Sequence, residues 1–118
     1  MVLFRNEIND SIRLLQEGRL EPLPYDGWTL TVNSGDLRLF SSDKVNELRV
    51  AYTGIQKYNY GLEWVRRTIE RSKPMIKNRK QLHKRLDAIE TKLVFDQHAT
   101  ELLSALQVLA NKDWFRDP

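Results

Sequence analysis

One apolar stripe between residues 45 and 69 limits the possible folds of this chain more than any other feature. Its residues alternate three and four positions apart over seven steps: Val45, Leu48, Tyr52, Ile55, Asn59, Leu62, Arg66 and Ile69. Because an α-helix has about 3.6 residues per turn, residues at this spacing lie on one side of a helix. A mainly apolar stripe of this length is not stable in water, so we expect other helices to cover it.

The central helix that carries this stripe is predicted at residues 43–72. Ser41, Ser42 and Asp43 stand at its start, and all three are residue types that cap helix N-termini well. Pro74 follows its end, and the residue before a proline is disfavoured in helical conformation. The boundaries of the central helix are therefore predicted at both ends.

Segments before and after the stripe predict two further main helices. Residues 2–18 have apolar residues at helical spacing and end with Gly18, a natural helix stop. Residues 75–112 contain neither Pro nor Gly. They carry two apolar stripes that do not share a register: Leu82, Leu86, Ile89 and Leu93, followed by Phe95, Ala99, Leu102, Leu106 and Leu109. Either one long helix changes its buried face near Asp96, or it bends there.

Residues 28–40 allow two interpretations. Apolar and polar residues alternate on both sides of a turn-like sequence, as in a β-hairpin: Trp28, Leu30, Val32, then Asn33 to Asp36, then Leu37 and Leu39. The alternative is a short helical segment near residues 27–34, capped by Asp26 and ended by Gly35. A lone hairpin is marginally stable unless it packs on another element.

Eight residues are predicted to pack helices together or to join copies of the chain: Leu48, Tyr52, Ile55, Asn59, Leu62, Leu102, Leu106 and Leu109. Asn59 either fixes register or oligomeric state, as a buried Asn can, or bonds to a backbone group. Gly54 and Gly61, seven apart beside the stripe, allow a neighbouring helix to approach closely. The apolar surface of residues 75–112 exceeds what the first half can cover, which predicts a homo-oligomer or a partner helix.

The net charge of +3 in 118 residues conceals a strong segregation. Between residues 66 and 85, nine basic residues and one acid give a charge of +8, so the rest of the chain carries −5. Such a segment is either a solvated helix turn or a surface that binds anionic lipid or nucleic acid. The residues predicted to bind an anionic surface are Arg66, Arg67, Arg71, Lys73, Lys77, Arg79, Lys80, Lys84 and Arg85.

The sequence predicts no enzyme, cofactor, metal site or small-molecule substrate. It has no cysteine, and no phosphate-binding or nucleophile motif is recognisable. His83 and His98 could each share a helix face with a carboxylate, but they lie on one predicted helix, about 22 Å apart. Aromatic residues precede the basic segment, a combination that can hold single-stranded nucleic acid: Tyr52, Tyr58, Tyr60 and Trp64. Tyr58 and Tyr60 point in different directions on a helix, so nucleic acid is the less favoured partner.

One set of apolar, cap and turn residues recurs in a known group of proteins: Leu3 to Ile8, Pro24, Trp28, Ser34 to Leu39, Glu47, Leu48, Tyr52, Ile55 and Asn59. Through these residues, the segment 3–65 resembles a soluble helical domain of uncharacterised prokaryotic membrane-anchored proteins. It implies an all-α fold, which favours the helical interpretation of residues 28–40, and it brings no catalytic residues. It also implies that the central helix returns towards a membrane, with the basic segment near the lipid headgroups.

We therefore expect a single all-α domain, an up-and-down bundle of three main helices with a short helical segment between the first two. Its predicted function is that of a helical scaffold or interaction domain, self-associating and placed at a prokaryotic membrane surface. A small basic nucleic-acid-binding protein is the alternative. The longest run of uncharged residues, 102–111, is ten residues long, whereas a membrane-spanning helix needs about 20.

Overall fold

The computed structural model describes the backbone of residues 2–72 and 79–116, and the side chains of residues 3–68 and 89–116. The helices are, in order, α1 (Val2–Gln16), α2 (Asp26–Ser34), α3 (Ser42–Ser72), α4 (Arg79–Ala110) and α5 (Asp113–Arg116). A 3-10 turn, Asp36–Leu39, joins α2 to α3. The described part of the chain contains no strand, which confirms the predicted all-α bundle with three main helices.

The short-helix interpretation of residues 28–40 is confirmed, and the β-hairpin is wrong. α2 ends as predicted at Gly35, which has a φ of 78° in the left-handed region that favours glycine. The Gly35 N–H closes the last turn by donating to the carbonyls of Thr31 and Val32. α2 therefore ends at Gly35 in the left-handed conformation that is typical of a glycine at a helix C-terminus.

The start of α2 differs from the prediction that Asp26 caps it. Tyr25 occupies the cap position and makes no side-chain hydrogen bond there. Instead, Oε2 of Glu7, on α1, accepts the N–H of Gly27 at 2.8 Å. A carboxylate beside a helix N-terminus is favourable because the first N–H groups lack partners within the helix. A side chain from another helix has taken the role predicted for Asp26.

The long helix α3 begins close to its predicted start. Its N-cap is Ser41, whose Oγ accepts the N–H of Lys44 at 3.4 Å, while its carbonyl accepts the N–H of Val45. α3 then continues for 31 residues. A helix of this length is about 45 Å long, and it provides one side of the whole bundle.

α3 and α4 pack antiparallel, and two glycines set their closest approach. A Cβ atom on Gly54 would lie 2.8 Å from Cδ1 of Leu102, and one on Gly61 would lie 3.2 Å from Cδ2 of Phe95. The predicted close approach at these glycines is confirmed. Gly54 and Gly61 are seven residues apart on α3, and the residues they face, Leu102 and Phe95, are seven apart on α4. The two contacts therefore define the antiparallel register, in which residue numbers rise along α3 as they fall along α4.

α4 runs from Arg79 to Ala110 as one helix. The second predicted stripe of this helix is in the core, where Phe95, Leu102, Leu106 and Leu109 are buried. Ile89 and Leu93, the described members of the first stripe, are more than half exposed. Among the described side chains only the second stripe lies in the core, and α4 is continuous through Asp96, where the two stripes change register.

α1 and α2 cover one side of the α3–α4 hairpin. α1 packs against α4 and α2, and the ring of Phe4 contacts those of Trp28 and Tyr52 at centroid distances of 6.2 and 5.8 Å. α5 packs back onto the bundle through the buried ring of Phe115. The core is thus one continuous cluster that includes side chains from all five helices.

Candidate interaction surfaces

The predicted basic surface lies where α3 ends and α4 begins. Two of its nine side chains are described, Arg66 and Arg67, and both are exposed. The guanidinium of Arg66 donates a hydrogen bond to the carbonyl of Leu20, which ties the α1–α2 connection to α3. Arg67 pairs with Glu63, with 2.6 Å between Nη2 and Oε1. The other seven side chains lie outside the described residues: Arg71, Lys73, Lys77, Arg79, Lys80, Lys84 and Arg85.

Two aromatic side chains project from α3 next to this basic end. Tyr60 is 69% exposed and Trp64 61% exposed, and their spacing of four residues places them on the same side of the helix. Tyr52 and Tyr58 are buried. The four aromatic residues noted in the sequence therefore divide into a core pair and an exposed pair.

The eight predicted packing residues lie within the core of this chain. Seven of them are buried: Leu48, Tyr52, Ile55, Leu62, Leu102, Leu106 and Leu109. Asn59 is half-buried and bonds the backbone of Leu23 twice, donating to its carbonyl at 3.0 Å and accepting its N–H at 2.8 Å. Of the two roles predicted for Asn59, the structure shows the hydrogen bonding to a backbone group. These residues therefore pack the helices of this chain together, and Leu102 and Leu109 also line an open groove between α3 and α4.

A buried carboxylate joins α1, α2 and α3. Oε1 of Glu7 accepts the hydroxyl of Tyr52 at 2.8 Å, and its other oxygen accepts the N–H of Gly27. The ring of Trp28 stacks on that of Tyr52, with centroids 5.1 Å apart. Burial raises the pKa of the Tyr52 hydroxyl, and the hydrogen bond to Glu7 and its negative charge raise this pKa further. Both carboxylate oxygens have partners inside the core, so this group holds three helices together.

An open groove of about 580 Å³ runs between α3 and α4. All the residues that line it belong to these two helices or are Lys112, just after α4. The small residues Ala51, Gly54 and Ala105 lie along it, with Val50 and Val108 beside them. Val50 is 72% exposed and Val108 61% exposed. Exposed apolar surface gathered in one groove is typical of a binding surface.

Polar groups border this groove. Nζ of Lys112 pairs with Oε1 of Glu47 at 2.5 Å. The other carboxylate oxygen of Glu47 and Nε2 of His98 are buried atoms without a hydrogen-bond partner among the described residues. Glu101 also lines the groove, so His98 and Glu101 share a helix face, as predicted. A buried acceptor without a partner is costly to the free chain.

The predicted pairing of His83 with a carboxylate lies outside the described side chains. Among the side chains that are described, no group of three or more His, Cys, Asp or Glu is close enough to hold a metal ion.

The groove was not predicted from the sequence, although a signal for it is present. Val50, Gly54, Lys57 and Gly61 repeat at spacings of four, three and four, so they form a second stripe beside the core stripe of α3. This stripe mixes glycines, a valine and a lysine, and a helical pattern alone does not distinguish such a stripe from an ordinary solvated face.

None of the described helices is long and apolar enough to cross a lipid bilayer. Comparison of the chain with family models, curated proteins and solved structures finds no match.

Proposed function

We propose that this protein is a non-enzymatic helical interaction domain of a prokaryotic cell. In this proposal it associates with itself and contacts an anionic membrane surface through the basic end of the α3–α4 hairpin. The observation that carries the membrane contact is the exposed pair Tyr60 and Trp64, which lies directly before the basic segment at residues 66–85.

The aromatic pair and the basic segment favour the same surface for different physical reasons. Trp and Tyr side chains have an apolar body and a polar tip, so they are enriched at the boundary between lipid and water. Each Lys or Arg close to an anionic membrane contributes about 1 kcal/mol of attraction. Exposed rings beside concentrated positive charge therefore favour binding to anionic lipid over binding to a neutral surface.

Nucleic acid is the alternative partner, because exposed rings with adjacent cations can also stack on bases and contact phosphates. The resemblance of residues 3–65 to membrane-anchored proteins favours the membrane. A competition experiment separates the two partners.

The test is co-sedimentation of the full chain with anionic or neutral phospholipid vesicles, with and without excess single-stranded DNA. We expect binding to anionic vesicles that weakens as salt is added, that persists with DNA present, and that is absent from neutral vesicles. Loss of vesicle binding in the presence of DNA would favour the nucleic-acid alternative, and no binding to anionic vesicles would contradict the proposal.

Matched charge variants locate the surface. A variant with Arg67, Lys73 and Lys77 changed to Gln is expected to bind anionic vesicles about 100-fold more weakly, because three cations near the surface are lost. The control variant changes Arg13, Arg38 and Arg49 to Gln; these residues are exposed, lie outside the basic segment and carry the same total charge. Equal losses in the two variants would show that net charge alone controls binding.

A further inference from the structure

We infer that the groove between α3 and α4 is closed by the same face of a second copy of this chain. The inference rests on the self-association proposed above and names the surface and the symmetry of the contact. The two copies are related by a twofold axis that runs along the groove, parallel to both helices. This rotation places α4 of the second copy against α3 of the first and keeps every residue at its own height along the axis. The four long helices then form a bundle of antiparallel neighbours.

In this arrangement, apolar residues of α3 in one copy contact apolar residues of α4 in the other. In the antiparallel register of α3 and α4, Val50 lies within about 3 Å of the height of Val108. The twofold rotation therefore brings Val50 of each copy against Val108 of the other. Both valines are mostly exposed in the single chain, and the small residues Gly54 and Ala105 between them allow close approach. Each apolar contact forms twice, as in any twofold interface.

Charged residues of the two helices are also complementary: Glu101 lines the groove, and Lys57 follows the groove residue Gly54 by about one turn on α3. Lys57 on α3 lies within about 3 Å of the height of Glu101 on α4, so each Lys57 meets Glu101 of the second copy. Both are exposed, and neither forms an ion pair among the described side chains. Opposite charges therefore face each other at this height of the interface.

This symmetry also agrees with the proposed membrane contact. An axis parallel to the helices leaves the ends of α3 and the starts of α4 of both copies at the same end of the dimer. The two basic ends then face one surface together, and the dimer doubles the number of cations that can contact it.

The first experiment measures the mass of the full chain by sedimentation velocity from about 1 to 100 μM, without vesicles. We expect a monomer–dimer equilibrium in this range. Val50→Glu is expected to weaken dimerisation at least about tenfold, because it places a charge in the apolar contact. The matched control, Leu93→Glu, changes an exposed residue that does not line the groove and is expected to dimerise as the wild type does. Far-UV circular dichroism checks that both variants remain helical.

The second experiment tests the orientation of the two copies. Lys57→Glu and Glu101→Lys are each expected to weaken the dimer, and the double variant is expected to restore it, because the reversed charges again face each other. A chain that stays monomeric up to about 100 μM would overturn the inference and leave the groove to a different helix. A dimer that is unaffected by Val50→Glu, or that the double variant does not restore, would also overturn it. Because vesicles are omitted, failure of the membrane contact is a separate result.

Discussion

The two sides of the α3–α4 hairpin are covered to different extents. On one side, α1 and α2 bring Glu7 and Trp28 onto Tyr52, and both carboxylate oxygens of Glu7 have hydrogen-bond partners. On the other side, the groove is lined by α3, α4 and Lys112 alone, and two of its polar atoms are buried without partners. The covered side contains hydrogen bonds that only one packing satisfies, so it determines the fold. The open side contains small apolar residues, so it remains available for binding.

The largest expected effect comes from removing the carboxylate on the covered side. Glu7→Ala leaves the Tyr52 hydroxyl and the Gly27 N–H buried without their acceptor. We expect a loss of about 3 kcal/mol in the free energy of unfolding, since each hydrogen bond to a charged group contributes about 1.5 to 3 kcal/mol. This loss is measured by urea denaturation of the variant and the wild type, monitored by circular dichroism.

Two controls accompany this substitution. Glu7→Gln keeps an oxygen for Gly27 and places an amide near the Tyr52 hydroxyl, so it is expected to cost less than Glu7→Ala. Glu101→Ala, at the exposed edge of the groove, is expected to change the stability of the monomer by less than about 0.5 kcal/mol when the chain is diluted below about 1 μM. Equal losses for Glu7→Ala and Glu101→Ala would contradict the distinction between the two sides.

A smaller effect is expected from adding a methyl group to glycines on the two sides. A Cβ on Gly27 would lie 2.6 Å from Oε1 of Glu7 and 2.8 Å from Cγ of Leu3. Glu7 is held in place by its hydrogen bonds, so Gly27→Ala is expected to destabilise the fold by about 1 to 3 kcal/mol. A Cβ on Gly54 would approach only Cδ1 of Leu102, at 2.8 Å. Leu102 borders the open groove and can turn into it.

For Gly54→Ala we therefore expect a change of less than about 1 kcal/mol, because the better helix propensity of alanine offsets the displacement of Leu102. Thermal unfolding of the two variants under identical conditions gives the comparison. If Gly54→Ala is as destabilising as Gly27→Ala, the groove is less able to adapt than the open arrangement indicates.

The sequence predicted the helices better than it predicted their contacts. Regular spacing identified the buried residues Leu48, Ile55 and Leu62, because one helix face follows from the number of residues per turn alone. It did not separate the exposed Leu93 from the core, since periodicity shows which residues share a face but not which face another helix covers. That information resides in contacts between distant parts of the chain.

The buried Glu7 illustrates the same limit for polar residues. Glu7 lies between Phe4 and Ile8 on the apolar side of α1, and Ser11 follows one turn later on the same side. The helix pattern therefore contains a signal that both are buried. The partners of Glu7 are 20 and 45 residues away along the chain. No local pattern identifies such partners, so neither the true cap of α2 nor the anchor of Tyr52 could be predicted.

The last expected effect is a dependence of stability on alkaline pH that originates on the covered side. Burial and the Glu7 carboxylate hold the pKa of Tyr52 above its ordinary value of 10.0. In the unfolded chain Tyr52 ionises near pH 10, whereas in the folded chain it keeps its proton. Its contribution to stability is therefore complete below pH 10 and is lost as the pH rises towards the folded pKa. The loss is about 1.4 kcal/mol per pH unit once the unfolded tyrosine is ionised.

Tyr52→Phe removes this titration. The variant is expected to be less stable than the wild type at pH 8, because Glu7 loses a donor, but its stability should fall less steeply above pH 10. Urea denaturation at a series of alkaline pH values compares the slopes, and the lysines cancel because both chains contain them. Tyr60→Phe is the matched control, because its ring is exposed, and it should keep the wild-type slope. If Tyr52→Phe and Tyr60→Phe give the same slope, Tyr52 loses its proton within the fold, and the hydrogen bond to Glu7 is not the anchor of the covered side.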